Sequence, residues 1–222
     1  MSNDDLIGLD RADLKVPANP IPYNCYKRFK YKLEENSKVH TERNLMLFLI
    51  GIGTGYRLQD IVDLTIGDLR EALQNGSFLI QEKKQYNSWL KHIKDNPKSK
   101  RKKPNKRYAE IEPRSELEKS LKVYVKGKKN SEYAFSSNGD YGYITAKSFS
   151  RVLKSVGEEL GLEHISGHSL RKTYATWLYE MTNDIVFVSK QLGHKSPETT
   201  MKYIGIDRKD KKRAAGIISG ML

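Results

Sequence analysis

The segment LGHKSPETTMKYI, residues 192–204, holds a histidine and a tyrosine at a short spacing. His194 follows a glycine in a turn, and Ser196 and Pro197 open a predicted helix that carries Tyr203 on its second turn. A phenol has an unperturbed pKa of about 10 and becomes an oxygen nucleophile once its proton is withdrawn. Each residue alone also fits an ordinary role, in a hydrogen-bonded turn or in half-buried packing. The pair therefore gains meaning only from the residues that accompany it.

Basic side chains that could hold a phosphate lie in two earlier segments. The segment GHSLRKTYATWL places His168 and Arg171 three residues apart on one helix face, near a helix start where backbone N–H groups favour an anion. Arg57, in GTGYRLQDI, begins another predicted helix after a glycine-rich turn. A guanidinium can bind two phosphate oxygens at once. The ordinary alternatives are a surface or capping role for His168 and Arg171, and for Arg57 an ion pair with a carboxylate such as that of Asp60.

The sequence is strongly basic, and most of the excess charge lies in one segment. The 222 residues contain 40 Lys and Arg against 27 Asp and Glu, which gives a net charge of +13. Residues 83–107 hold eleven of these cations and a single acid, Asp95. A polyanion, above all nucleic acid, is the expected partner, and the alternative is a solvated loop. We predict phosphate contacts from the following side chains: Lys83, Lys91, Lys94, Lys98, Lys100, Arg101, Lys102, Lys103, Lys106 and Arg107.

Composition also limits the expected compartment. The longest nearly apolar run, residues 45–53, is far below the roughly 20 residues that cross a bilayer. The first ten residues are acidic, whereas a secretion signal would begin with basic residues. Cys25 is the single cysteine, which excludes an intramolecular disulfide and a cysteine-rich zinc site. We therefore expect a soluble cytoplasmic protein without a membrane partner.

The elements that must position these residues are mostly helices. Residues 1–38 contain three prolines and open without periodicity, so they are expected to form an N-terminal arm or the remnant of a linker. The main domain is expected over residues 39–205, followed by a tail over residues 206–222. Capping residues, apolar periodicity and terminal glycines predict seven helices. They cover residues 40–55, 57–64, 113–127, 145–161, 167–181, 184–193 and 196–204.

One small sheet accompanies the helices. Residues 77–83 and 107–113 alternate with a period of two and predict two antiparallel strands, joined by the basic segment as a long loop. If Ile80 faces the core, strand alternation places Glu82 and Lys84 on the same side and turns Lys83 away. The predicted fold class is therefore α+β, mostly α, with a small antiparallel sheet.

Taken in order, these segments resemble the catalytic domain of the tyrosine recombinases, the phage-integrase family. TGYRLQDIVDLTIGDL looks like the first arginine box of the family, HSLRKTYATWL looks like its H-x-L-R box, and LGHKSPETTMKY looks like the box that ends on the nucleophilic tyrosine. The resemblance covers roughly residues 40–205. It assigns the active-site positions of the family to six residues: Arg57, Lys84, His168, Arg171, His194 and Tyr203.

The resemblance implies that DNA strands are cleaved and rejoined through a 3′-phosphotyrosyl intermediate. Tyr203 would attack phosphorus while Arg57 and Arg171 clamp its non-bridging oxygens. His194 would add a hydrogen bond to the phosphate, and His168 would accept the phenolic proton. A lysine, Lys84 in our assignment, would protonate the departing sugar oxygen. Because the bond energy stays in the ester, we expect no cofactor, neither ATP nor a metal ion.

The expected partner is double-stranded DNA, with nucleoid association, self-assembly into a dimer or tetramer on DNA, and accessory DNA-bending proteins as further candidates. The tail after Tyr203 is the candidate for docking onto a neighbouring copy. The roughly 40 residues before the main domain are too few for the N-terminal clamp domain of the family, so we expect either a catalytic fragment or a short protein that grips DNA less completely. The alternative functions are DNA relaxation like that of a type IB topoisomerase, and an inactive DNA-binding regulator.

Overall fold

The computed structural model describes residues 16–206 and 216–220. Part of the predicted arm and most of the predicted tail therefore lie outside the described residues. Within residues 16–206, a 3-10 turn at Tyr23–Cys25 precedes ten helices: α1 (Tyr26–Asn36), α2 (Thr41–Thr54), α3 (Leu58–Ile61), α4 (Ile66–Asn75), α5 (Lys83–Asp95), α6 (Glu116–Tyr124), α7 (Ala146–Glu159), α8 (Gly167–Thr182), α9 (Ile185–Leu192) and α10 (Pro197–Ile204). The strands β1 (Ser77–Ile80) and β2 (Arg107–Glu110) form one antiparallel pair. The predicted α+β fold, mostly α with a small sheet, is confirmed.

Helix α2 forms the centre of the core because it is apolar on nearly all sides. It packs against α1, α6 and α8. It ends at Gly55, which adopts a left-handed φ of 61°. A Cβ atom at this position would lie 2.4 Å from Cδ1 of Tyr174, so both the backbone conformation and the space require glycine. The turn delivers Arg57 to the N-cap of α3, as predicted.

Helix α1 lies within the segment that we predicted to be an arm or linker remnant. Phe29 and Leu33, four residues apart on one helix face, are fully buried. The ring of Phe29 stacks on that of Phe48 in α2, with a centroid distance of 5.4 Å. The packed core therefore extends N-terminal of the boundary expected at residue 38.

The sheet places β2 beside the site. Ile80 pairs with Arg107, while Phe78 pairs with Ala109 two positions away. Phe78 and Ala109 are buried, so Ile80 and Arg107 share the inward face of the ribbon. The strand predicted to continue to residue 83 is shorter, because the chain turns at Glu82 into a helix.

The connection between the strands corrects a second expectation. We predicted a long loop, whereas residues 83–95 form α5 and only residues 96–106 lack regular structure. No residue of α5 is buried. The indole Nε1 of Trp89 donates to the carbonyl of Arg101 at 2.9 Å, and Nε2 of His92 lies 2.9 Å from Oγ of Ser99. These hydrogen bonds hold residues 96–106 against helix α5.

Within residues 16–206 and 216–220, no helix combines the length and the apolarity needed to cross a membrane.

Candidate active site

Helices α3 and α8 begin next to each other and bring Arg57 close to the H-x-L-R segment. Ser166 caps α8 by accepting from the backbone N–H of His168. A Cβ atom at Gly167 would lie 2.6 Å from Cδ1 of Leu58, so the two helix starts approach as closely as a glycine allows. Arg57 thereby comes into electrostatic range of His168 and Arg171.

Arg171 ties the end of α2 to the end of α9. Its side chain is 2% exposed, Nη1 donates to the carbonyl of Gly55 at 2.6 Å, and Nη2 donates to the carbonyl of Leu192 at 2.6 Å. Burial, followed by repulsion from Arg57, lowers the pKa of this guanidinium to about 10. Arg171 therefore remains charged at neutral pH, held by carbonyl oxygens that satisfy part of its donor set.

Glu82 lies at the centre of the site, and its role there was not anticipated from sequence. Its side chain is 2% exposed, and Oε1 accepts from Nη1 of Arg57 at 2.6 Å and from Nη1 of Arg171 at 3.2 Å. The ordinary alternative for Arg57 was an ion pair with a carboxylate such as that of Asp60. The structure does pair Arg57 with a carboxylate, but with that of Glu82, while Oδ1 of Asp60 accepts the backbone N–H of Lys83 at 2.9 Å. The weak signal in the sequence was the strand alternation that put Glu82 on the side of Ile80.

Arg107 is the second unanticipated member of the site. Its guanidinium carbon lies 3.6 Å from the ring centroid of Tyr56, Nη1 donates to the carbonyl of Gln191 at 2.9 Å, and Nη2 donates to that of Thr54 at 3.0 Å. The side chain is only 9% exposed, and burial lowers its pKa. Arg107 was predicted to begin the second strand and to contact phosphate with the basic segment; β2 does begin at this residue, and it turns the side chain inward to the site.

Two histidines border the arginines. Nδ1 of His194 lies 2.9 Å from Oγ1 of Thr200, in the first turn of α10. Burial, followed by Arg171 and Arg57, lowers the pKa of His194 to about 4. His168 is exposed, yet partial desolvation, followed by Arg57, Arg171 and Lys84, also lowers its pKa. Both imidazoles are therefore neutral at physiological pH and can accept a proton.

Tyr203 points into the same region. Among the described residues its hydroxyl oxygen is buried and has no hydrogen-bond partner. Burial raises its pKa, whereas Arg171 and Arg57 act in the opposite direction. The ring in contact with it is that of His194, with centroids 5.6 Å apart at an angle of 87°. The structure thus brings a buried, unpaired phenol into electrostatic range of the two arginines predicted to act with it.

The two candidate lysines have different surroundings. Nζ of Lys83 pairs with Oδ1 of Asp63 at 2.6 Å and also donates to the carbonyl of Gln59. Lys84 is exposed and lowers the pKa of His168, so it lies within electrostatic range of the site. Both residues stand on a helix, so the strand alternation no longer separates them. Because the ammonium group of Lys83 is held by Asp63 and that of Lys84 is exposed near the site, the side-chain partners favour Lys84 as the candidate general acid.

The remaining predicted phosphate contacts are exposed on α5 and the segment behind it. They are Lys91, Lys94, Lys98, Lys100, Arg101, Lys102, Lys103 and Lys106. Nζ of Lys103 lies 5.1 Å from the ring centroid of Tyr86. Among the described residues, no group of three or more His, Cys, Asp or Glu side chains could hold a metal ion.

The fold and the site together define a class of protein. The model of the Phage integrase family matches residues 27–210. The chain belongs to this family, the tyrosine recombinases, and contains its catalytic domain.

Individual relatives agree with this membership. The chain is 31% identical to the Probable integrase/recombinase YoeC of Bacillus subtilis over 192 residues, which cover 86% of this chain and 91% of that protein. It is 27% identical to the tyrosine recombinase XerC of Oceanobacillus iheyensis, over 91% of this chain and 62% of XerC.

Solved structures show the same fold. The recombinase XerH, bound to its palindromic difH substrate in a post-cleavage complex, aligns with a TM-score of 0.60 and 23% identity over 95% of this chain and 56% of XerH. The Tn1549 transposon integrase, in complex with a circular intermediate DNA, aligns with a TM-score of 0.61 and 16% identity over 92% of this chain and 68% of that chain. The chain therefore spans about six tenths of the length of XerC and XerH.

Proposed function

We propose that this protein is a site-specific DNA recombinase or integrase that cleaves and rejoins strands through a 3′-phosphotyrosyl intermediate, without a metal ion or ATP. The observation that carries the proposal is the buried, unpaired hydroxyl of Tyr203 within electrostatic range of Arg57 and Arg171. Guanidinium groups stabilise the negative charge that spreads over the non-bridging oxygens in the transition state. Family membership supports the same chemistry.

The steps follow from the donors and acceptors of the site. The Tyr203 oxygen forms a bond to phosphorus as the bond from phosphorus to the 5′ oxygen breaks. His168 takes the phenolic proton, and Lys84 gives a proton to the departing 5′ oxygen. If the hydroxyl of Thr200 donates to Nδ1 of His194, the imidazole proton resides on Nε2, which can donate to the phosphate. A 5′ hydroxyl of another strand then reverses these steps and joins the DNA in a new pairing.

The exposed cations of α5 and residues 96–106 are proposed to follow the DNA backbone. XerH and the Tn1549 integrase are described in complex with DNA, which supports double-stranded DNA as the partner. Strand exchange requires at least two cleaved duplexes, so the active species is proposed to be a dimer or tetramer assembled on DNA in the nucleoid, with accessory DNA-bending proteins as further partners. The docking element between copies is proposed to be the tail after Tyr203.

A covalent-capture experiment tests the proposal. The target sequence is unknown, so a library of nicked duplexes with randomised sequence is incubated with the protein in excess EDTA, and adducts are isolated on a denaturing gel and sequenced. The parent protein should form a covalent adduct at one defined sequence. Tyr203→Phe should bind DNA as the parent does and form none, because only the phenolic oxygen is removed.

Tyr179→Phe is the matched control, since Tyr179 packs in the same apolar cluster as Tyr203 and should keep the adduct. An adduct retained by Tyr203→Phe would transfer the role to another tyrosine. An adduct that EDTA abolishes and Mg²⁺ restores would contradict the metal-free mechanism. Adducts and supercoil relaxation without sequence preference would favour the topoisomerase alternative, and DNA binding without any adduct would favour the regulator.

A further inference from the structure

A carboxylate occupies the place where the proposed mechanism needs an anion. Oε1 of Glu82 lies 2.6 Å from Nη1 of Arg57, 3.2 Å from Nη1 of Arg171 and 3.6 Å from Nε of Arg107. Three guanidinium groups thus converge on one oxygen atom. A carboxylate and a phosphate present similar pairs of oxygens to a guanidinium, so either can occupy such a position.

The charges of this cluster favour an anion with more negative charge than a carboxylate. Glu82 and the buried Asp60, which lies in electrostatic range of Arg57 and Glu82, supply two carboxylates against the three positive charges of Arg57, Arg107 and Arg171. His168 and His194 have lowered pKa values and are neutral. The excess positive charge is buried, where it is costly unless an anion accompanies it. A phosphodiester that gains negative charge in its transition state would match the cluster better than the carboxylate does.

Arg107 carries an open donor directed at the same place. Among the described residues, its buried Nε has no hydrogen-bond partner, and 3.6 Å to Glu82 exceeds a hydrogen-bond distance. A buried donor without an acceptor is unusual and costs free energy. A phosphate has more oxygens than a carboxylate and could satisfy this donor together with those of Arg57 and Arg171.

Glu82 is also connected to the basic insertion. It directly precedes α5, and its other carboxylate oxygen, Oε2, accepts from the side chain of Gln85 in the first turn of that helix at 2.8 Å. Because no residue of α5 is buried, the helix has few packing contacts that resist a shift. A shift of α5 on a DNA backbone would carry the carboxylate away from the arginines.

We propose that Glu82 is an internal occupant of a phosphate site formed by Arg57, Arg107 and Arg171, and that the incoming phosphate displaces it. Arg107 thereby becomes a third arginine that contacts the phosphate. That the natural anion is the scissile phosphate of DNA rests on the function proposed above. The competition between an anion and Glu82 for the three arginines does not depend on that function.

Inorganic phosphate is the probe, and its binding to the full chain is measured by calorimetry at low salt. Glu82→Gln should bind phosphate at least about tenfold more tightly than the parent, because a nearby negative charge is removed from the binding position. Asp63→Asn is the matched control: it removes one negative charge from the same neighbourhood, at a carboxylate that pairs with Lys83 rather than with the arginines. Its phosphate affinity should stay within about twofold of the parent. Equal affinities of parent and Glu82→Gln, or equal gains in both variants, would overturn the proposal.

A crystal structure of the parent protein with orthovanadate requires no variant. The expected result is an anion within hydrogen-bond distance of all three arginines, including Nε of Arg107, with the Glu82 side chain turned away. Vanadate that is absent from the cluster, or that binds elsewhere while Glu82 stays on Arg57, would refute displacement. Tighter phosphate binding by Glu82→Gln in a protein that forms no DNA adduct would leave the role of Glu82 standing while the proposed function fails. If the parent forms the DNA adduct but Glu82→Gln binds phosphate no more tightly than the parent, the proposed function stands and the role of Glu82 fails.

Discussion

At the scale of single residues, the first prediction concerns which of the neighbouring Lys83 and Lys84 is the general acid. A departing alkoxide needs a proton, whereas a departing thiolate does not, so sulfur in place of the bridging 5′ oxygen removes the need for a general acid. Lys84→Ala should therefore cleave ordinary DNA roughly 100-fold more slowly and the sulfur substrate at nearly the parent rate. Adduct formation on the captured target sequence, followed over time, measures both rates.

Two variants serve as controls for this rescue. Arg171→Ala should stay slow on both substrates, because its guanidinium stabilises the phosphate rather than the leaving group. Lys83→Ala should cleave ordinary DNA at close to the parent rate, since Nζ of Lys83 is held by Asp63. Rescue by sulfur in Lys83→Ala and not in Lys84→Ala would exchange the two assignments.

His194 makes a prediction about stability and pH. Its pKa is lowered to about 4 in the folded protein, against an unperturbed value near 6.5. Below pH 6.5 the unfolded chain takes up a proton that the folded chain refuses, so acidification favours unfolding. Above pH 6.5 both states are neutral and His194 adds nothing to the pH dependence. As the pH falls from 6.5 toward 4 the folded state is progressively destabilised, by roughly 1 to 2 kcal/mol, because solvent screens part of the charge on this half-buried ring.

Urea unfolding at pH 7 and pH 5 measures this effect. The free energy of unfolding of the parent should fall between the two pH values, and that of His194→Gln should fall less, because glutamine does not titrate. His164→Gln is the control for the loss of a histidine at an exposed position. An equal fall in parent and His194→Gln would show that other groups cause the acid sensitivity.

At the scale of elements, helix α5 and residues 96–106 predict a strong dependence of DNA binding on salt. Each neutralised phosphate contributes about −0.9 to the slope of the logarithm of the binding constant against that of the salt concentration. If each of the four contacts one phosphate, replacing Lys100, Arg101, Lys102 and Lys103 with glutamine should flatten the slope by about 3.6 units. Fluorescence anisotropy with a labelled duplex at several salt concentrations provides the measurement.

The charge-matched control removes four exposed lysines on and after α6, namely Lys119, Lys122, Lys126 and Lys129. The net charge changes equally in both variants, so a local phosphate contact is separated from a general field effect. The control should keep the parent slope within about one unit. If the loop variant also keeps the parent slope, residues 100–103 are a solvated segment without phosphate contacts.

At the scale of the whole molecule, the C-terminal tail is predicted to join copies of the chain. Most of it lies outside the described residues, but Ile217 and Ile218 are 54% and 57% exposed. Exposed apolar side chains of this kind can fill a groove on another chain. Truncation after Arg208 should spare cleavage of a single nicked site and lower recombination between two sites at least tenfold.

Ile217→Ser with Ile218→Ser is the milder variant, because it keeps the chain length and removes only apolar surface. It should show the same separation between cleavage and recombination, measured with nicked and paired substrates. Equal retention of both activities in the truncated chain would mean that the tail takes no part in assembly.

The sequence by itself determined the elements whose signals are local. The apolar run and the glycine turn specified α2 and the helix start at Arg57. The H-x-L-R segment specified α8 with His168 and Arg171, and the LGH segment specified the turn at His194 and α10 with Tyr203. Helix α5 had a local signal too, because Tyr86, Trp89 and Ile93 recur at helical spacing. We predicted a loop there from the density of positive charge and did not consider that periodicity.

Only the tertiary structure decided which side chains meet. Glu82 pairs with Arg57 and Arg171 across 25 and 89 positions of the chain, and Arg107 reaches a carbonyl 84 positions away. Local patterns carry no information on such pairs, because they form only when helices and strands from distant segments pack on one core. From sequence alone, an arginine is predicted to be a surface cation. Whether it is buried depends on the carboxylate and carbonyl groups that the packed elements supply. The predicted active-site residues thus came from the sequence, whereas the charge balance around them, with Glu82 among three arginines, came from the fold.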